Sequence, residues 1–285
     1  MSLELVQHGA LQSYIDKWLA VQPQQRMALV FVEPGKYPGH VALAALEQEW
    51  LSAAYGIREP QVAATKLNWW AEELSGAAAS GGRHPLTQVL FDDERAHAIA
   101  PERWLAPVLA AMAQLEEGTA VDFAAQLNAA SALHGAMATL ETAWWYGESA
   151  SPARAARVAT LSHLLYALRR LQDDIERDRL PLPMARLARF SLSRTSLRER
   201  SEARDQAIKA QLEDLSSAWA EAGRLDGPLS VFRALEAGQD ERLARKAARA
   251  GDPLLVLQQG GPDRGFMATL RAWGAARQWQ NRVVA

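Results

Sequence analysis

The sequence predicts an all-α fold, and three observations carry that expectation. Apolar residues recur at the i, i+3, i+4 and i+7 spacing of a buried helix face through most of the chain. Prolines and glycines fall where such faces begin and end. No segment alternates apolar and polar residues at the period of two that a half-buried strand needs, and neither a heptad run nor a fixed-period repeat is present. With 285 residues, 49% of them apolar and 22% charged, the chain suffices for a sizeable core and is expected to fold as one domain over residues 1–285.

The elements follow in order. Residues 3–21 read as a first helix with Leu11, Tyr14, Ile15 and Trp18 on one face, ended near Pro23. The apolar piece RMALVFV is also compatible with a strand; it reads as helical because nothing nearby supplies a partner strand. After the loop EPGKYPG, a helix over 39–55 ends at Gly56, and Glu59-Pro60 opens the next. That helix carries Trp69-Trp70, stops at Gly81-Gly82, and gives way at His84-Pro85 to another, since the residue before proline is pushed out of the helical region and proline suits a first turn.

An acidic break at Asp92-Asp93-Glu94 precedes a helix from Pro101 to Glu117 and an alanine-rich one from about Ala120 to Tyr146. Ser151-Pro152 starts a helix expected to reach Asp178, where Pro181 and Pro183 break the chain. Ser196 is expected to cap a helix to Glu221, Pro228 to open one to about Ala250, Asp252-Pro253 a short one, and Pro262 a last one ending near Gln280. The dense charge between Leu197 and Ala250 predicts a peripheral position for those helices. Of the ten tryptophans, Trp50, Trp69, Trp70, Trp144, Trp145, Trp219 and Trp273 fall inside helices, as core fillers or as the wall of an apolar pocket.

Composition excludes several chemistries. A net charge of −2 gives no polyelectrolyte signature, so nucleic acid is not an expected partner. No cysteine is present, which removes disulfides and thiolate chemistry and makes the cytoplasm the simplest compartment. The first twenty residues carry Glu4, Asp16 and Lys17 where a signal peptide needs an apolar centre, and no run approaches the roughly 20 apolar residues that span a bilayer. The amphipathic first helix is a candidate for peripheral membrane contact. His8, His40, His84, His97, His134 and His163 stand singly, with no i, i+4 pair to suggest zinc, and no phosphate loop, dinucleotide fingerprint or nucleophile elbow occurs.

The strongest chemical candidate is LRRLQDDIERDRLPLP, residues 168–183. Asp174 and Asp178, four apart on a helix, would project from one face and suit Mg²⁺, a hard ion that shares carboxylate oxygens with substrate phosphates. The same stretch fits a solvated ladder of ion pairs, with Arg170 one turn before Asp174 and Arg169 one turn before Asp173, and spacing alone favours the ladder.

A basic residue, an apolar one, Trp69-Trp70, acids, a small-residue tail and then His84-Pro85 resemble, in that order, the squalene/phytoene synthase family, above all its divergent bacterial members. The resemblance runs from about Val41 to Pro183. It implies an isoprenoid-synthase-like helical bundle around a central cavity, and a Mg²⁺-dependent transferase that joins prenyl diphosphates head to head. Asp174-Ile175-Glu176-Arg177-Asp178, followed by Leu182-Pro183, matches the family's second aspartate-rich motif, which implies metal binding by Asp174 and Asp178. Lys66 or Arg170 would steady phosphate, and Trp69 and Trp70 would wall the pocket for the prenyl chain.

The departures from the pattern are as informative. The link between Asp178 and Leu182-Pro183 is about one turn short, and Ala167 and Arg170 replace the family's glutamine and asparagine. The first aspartate-rich motif should fall in ALAALEQEWLSAAYG, but Leu51, Ser52 and Tyr55 occupy its positions. Glu47 and Glu49, two apart, diverge by roughly 200° on a helix and cannot grip one metal together. Ala132 stands where a family tyrosine belongs, ahead of the small residues Gly135, Ala136, Ala138 and Thr139. With one carboxylate wall missing, neutralisation of a leaving diphosphate should be crippled. No catalytic residue is assigned. The readings in play are a prenyl-diphosphate-binding or condensing protein with a degenerate site, a non-catalytic binding or assembly factor on the same fold, and an unrelated helical interaction domain.

Overall fold

A computed structural model describes residues 3–261 and 266–283, and every regular element among the described residues is helical. The order is α1 (Leu3–Val21), α2 (Gln25–Ala28), α3 (Pro38–Leu51), α4 (Pro60–Ser80), α5 (Pro85–Phe91), α6 (Glu94–Ala98), α7 (Pro101–Gln114) and α8 (Phe123–Tyr146). There follow α9 (Ala153–Arg169), α10 (Leu171–Glu176), α11 (Met184–Arg189), α12 (Glu202–Ala222), α13 (Val231–Ala248), α14 (Pro253–Gln259) and α15 (Phe266–Val283). RMALVFV is indeed helical at its start and turn beyond, with no strand. No helix among the described residues is long and apolar enough to cross a membrane. The start signal at Pro262 lies outside the described residues.

Local chemistry explains most boundaries. Proline occupies the first turn of α3, α4, α5, α7 and α14, where its missing N–H costs nothing. Asp122 caps α8 by accepting from Ala125 N at 2.8 Å, and Gly81 closes α4 in the left-handed region at φ 86°.

Four expectations need correcting. The helix over 39–55 is α-helical only to Leu51; its last turn, Ser52–Gly56, is a π-helix. The helix expected to reach Asp178 breaks at Arg170, at φ −97° and ψ 19°, and α10 ends at Glu176. Ser196 caps nothing, because its hydroxyl is spent on a local turn, accepting from Ser193 N at 2.8 Å and donating to Ser193 O at 2.9 Å. Ser201 caps α12 instead, accepting from Arg204 N at 3.1 Å.

The fourth correction concerns α13, which is central rather than peripheral. Its first turns add Phe232 and Leu235 to a core built from α1, α3, α4, α5, α7, the end of α8 and α15, and its last turns add Leu243, Ala244 and Ala247 to a second core with α9, α10, α12 and α14. High charge content misled because Arg233, Glu236 and Asp240 on α13 point inward, at the seam between the two cores, while Arg245 and Lys246 at its end are exposed.

Candidate functional site

At that seam lies a cavity of about 300 Å³, walled by α1, α3, α8, α9 and α13, with Trp18, Leu51, Met137 and Phe232 as its apolar lining. Arg233 is its polar centre. The guanidinium reaches Glu47 Oε2 at 3.3 Å, Glu141 Oε2 at 3.0 Å and Glu236 Oε2 at 3.2 Å. Ser230, which caps α13, also donates to Glu141. Burial raises Glu47 well above the usual carboxylate range and the Glu141 charge adds to it, with Arg233 pulling the other way. Burial and Glu236 push Asp240, one turn further along α13, up to about 8. Three carboxyl groups thus share a single guanidinium, with Asp240 one turn beyond them.

The far side of the cavity is aromatic and uncharged. Tyr55, His163 and His134 form a stack, with centroids 4.7 Å apart for Tyr55–His163 and 4.0 Å for His134–His163, and the Tyr55 hydroxyl lies 3.3 Å from His134 Nε2. Burial lowers both histidines, His163 to about 4, so both rings are neutral at pH 7. The π-helical turn places this tyrosine. It leaves the carbonyls of Ala54 and Tyr55 without helical partners, and two arginines take them up. Arg179 donates to Ala54 O at 2.9 Å and Tyr55 O at 3.1 Å, with its guanidinium 5.3 Å from the Tyr55 ring centroid, and Arg177 donates to Tyr55 O at 2.8 Å.

Behind this partition is a second, smaller pocket of about 170 Å³, lined among others by Asp174, Asp178 and Gln126; Tyr55 and His163 wall both spaces. The two aspartates are not on one helix. Asp178 follows the end of α10 in the left-handed region at φ 60°, its side chain is 84% exposed, and it pairs with Arg194. Asp174 is half-buried; burial raises it, and Arg170, Arg179 and Arg177 pull it back down. Arg170 instead holds Asp173 at 3.3 Å, so the stretch is an arginine-rich turn with a local pair rather than a regular ladder. A cation here would meet one inward carboxylate among three guanidinium groups. Asp174 and Asp178 as they stand do not fit a shared Mg²⁺.

The other sequence-derived site residues separate. Arg170 lines the central cavity; Lys66, Trp69 and Trp70 do not. Lys66 donates to Glu49 at 2.9 Å, Trp70 is in the core, and Trp69 is 39% exposed. The Trp-Trp helix instead supports a clamp. Glu73, buried on α4, accepts from Arg83 N at 2.6 Å, His84 N at 2.9 Å and the Thr87 hydroxyl at 2.6 Å. Burial alone would raise its carboxyl; those hydrogen bonds outweigh it and bring the group down to about 2. His84 caps α5, sits 4.7 Å from Trp70 and lies 2.8 Å from the Tyr14 hydroxyl. The motif's order is therefore accounted for by folding of the α4–α5 turn.

The residues that sequence reasoning missed are Arg233, Glu236 and Asp240. A signal was present: they stand at i, i+3 and i+7, the same stripe spacing that was read for apolar residues, here carrying charge. Glu47 and Glu141, isolated acids in apolar helices, were the matching half.

Comparison with known proteins agrees with this architecture. The chain's fold is similar to that of a dehydrosqualene synthase crystallised in complex with ligand, at a TM-score of 0.62 and 11% identity, covering 97% of this chain and 99% of that one. It is similar also to squalene synthase HpnC from Alicyclobacillus acidocaldarius, at 0.61 and 13%, covering 97% and 96%. No curated protein matches the sequence. Residues 27–265 match the family model described as squalene/phytoene synthase, which is most of the chain, and the protein belongs to the squalene/phytoene synthase family.

Proposed function

We propose that this chain is an isoprenoid-binding member of its family that no longer condenses prenyl diphosphates, and that its ligand occupies the central cavity. The observation that carries the reading is the partition: Tyr55 and His163 stand between the cavity and the turn bearing Asp174 and Asp178, and Arg177 and Arg179 fasten it from behind. In a condensing enzyme, metal-bound carboxylates and the substrate's diphosphate share one chamber, because the leaving group must be neutralised as its bond to carbon breaks. Here Glu47 and Glu141 in the chamber are committed to Arg233, and Asp178 of the aspartate-rich turn to Arg194 outside it.

The protein on this reading is a binding or assembly factor of isoprenoid metabolism, working in the cytoplasm or at a membrane surface. The experiment offers farnesyl and geranylgeranyl diphosphate with Mg²⁺ and follows pyrophosphate. The expected result is no release above the uncatalysed background. Release that disappears in the Asp174→Ala, Asp178→Ala double variant would return the chain to the synthases.

A further inference from the structure

Among the described residues, four carboxyl groups and three guanidinium groups line the central cavity, and their placement bears on its ligand. Arg233 serves Glu47, Glu141 and Glu236 at once, and Asp240 shares the same wall. The other two guanidinium groups on the lining direct their hydrogen bonds away from Glu47 and Glu236, although the Arg169 charge is felt at Asp240. Arg169 donates to Leu257 O at 3.1 Å and Gly260 O at 2.9 Å, and Arg170 to the Tyr166 hydroxyl at 3.3 Å and to Asp173.

Unpartnered acceptors border the same space. Gln25 is 1% exposed and its Oε1 has no hydrogen-bond partner among the described residues. Its amide nitrogen donates to Phe232 O at 3.1 Å, which fixes the side chain beside Arg233. Glu47 Oε1 is likewise unpartnered, and the buried Ser162 hydroxyl lies beside the Asp240 carboxyl. Buried acceptors left unmatched cost free energy that a donor would recover.

We propose that this cavity binds a primary ammonium carried on an apolar body, with the cation received by Glu47, Glu236 and Asp240 and the body packed against Trp18, Met137 and Phe232. The proposal rests on the cavity being the ligand site. A primary ammonium brings three donors, no acceptor and one positive charge, and on binding it would displace the protons that Glu47 and Asp240 hold in the cavity. A hydroxyl brings no charge. A diphosphate brings further negative charge towards four carboxyl groups. The raised position of Asp240, about 8, comes first from burial and then from the Glu236 charge, the part that a cation would relieve. The unpartnered oxygens are covered by their neighbours, so the head group reaches them through small side-chain shifts.

The test titrates the full chain with geranylamine, geraniol and geranyl diphosphate, which share one tail, by calorimetry and by tryptophan fluorescence, since Trp18 lines the cavity. Geranylamine should saturate a single site at least about tenfold more tightly than geraniol, with geranyl diphosphate weakest. Glu47→Gln should weaken the amine about tenfold and leave geraniol within about twofold. Should that variant fail to fold, Asp240→Asn replaces it with the same expectation. Geraniol or the diphosphate matching the amine, or a folded variant with undiminished amine binding, would overturn the proposal. Pyrophosphate release is a separate readout, bearing on the loss of condensation and not on this ranking.

Discussion

Two regions of this chain bring acids and arginines together, and their different burial gives them opposite physical characters. Around Arg233 the acids come from three helices, are withdrawn from water and depend on one guanidinium. In the turn from Asp173 to Arg179 the four acids come from one short segment, Asp173, Glu176 and Asp178 are exposed, and Asp174 alone is half-buried, among Arg170, Arg177 and Arg179. The family's chemistry is expected in the second region, but in this chain the first faces the cavity. Proximity in sequence and chemical consequence have come apart.

The comparison breaks most readily at Arg233. Replacing it with methionine removes the only cation among the described residues that pairs with Glu47, Glu141 and Glu236, and breaking such a cluster costs about 3–5 kcal/mol. Urea denaturation should show a loss of that order. A change below about 1 kcal/mol would mean that water in the cavity screens those groups and that the two regions are alike after all. Arg179→Ala comes next. It removes two charge-assisted hydrogen bonds to the π-helical turn and the contact with the Tyr55 ring, for an expected loss of about 2 kcal/mol by the same measurement.

A third test uses pH. Asp240 holds its proton to about 8 in the fold and releases it near 4 when unfolded, so between those values the folded state binds more protons and stability falls as pH rises. His163 works from the other end: lowered to about 4 against an ordinary 6.5, it makes stability fall as pH drops through that interval. Asp240→Asn should therefore gain on the parent as pH is raised from 5 to 8 and gain no more beyond about 8, as thermal denaturation across a buffer series will read. An advantage independent of pH would show that the raised position of Asp240 is wrong.

The helix order was legible because it is written locally. Proline at first turns, glycine in the left-handed region and aspartate or serine at caps each act within four residues, so Pro60, Gly81 and Asp252 marked boundaries without knowledge of the fold. The stretches that failed depend on distant partners. The turn at Ser52–Gly56 is held by Arg177 and Arg179, more than a hundred residues away, and nothing in SAAYG announces it. The break at Arg170 was hidden because its neighbours are good helix formers. The cavity's polar centre joins residues 47, 141 and 233, and only the stripe Arg233, Glu236, Asp240 left a trace in one segment. A charged stripe on a helix is usually a solvated face, and its inward direction is set by Phe232 and Leu235 packing into a core that local pattern does not reveal.

The smallest expected effect sharpens the comparison from the other side. Asp178 matches the second acid of the aspartate-rich motif, yet its side chain is 84% exposed, its backbone is left-handed and its partner Arg194 is itself 43% exposed. An ion pair in such surroundings keeps little of its Coulomb energy, since water screens both charges and two long side chains lose freedom to meet. Asparagine tolerates the left-handed region as aspartate does, so Asp178→Asn removes the charge and leaves the backbone conformation acceptable. Stability should stay within about 0.5 kcal/mol of the parent, and raising the salt should leave that difference unchanged or smaller. A larger loss, or one that added Mg²⁺ accentuates by stabilising the parent alone, would mean that Asp178 turns inward to join Asp174 and that the turn retains the ion-binding geometry of its family.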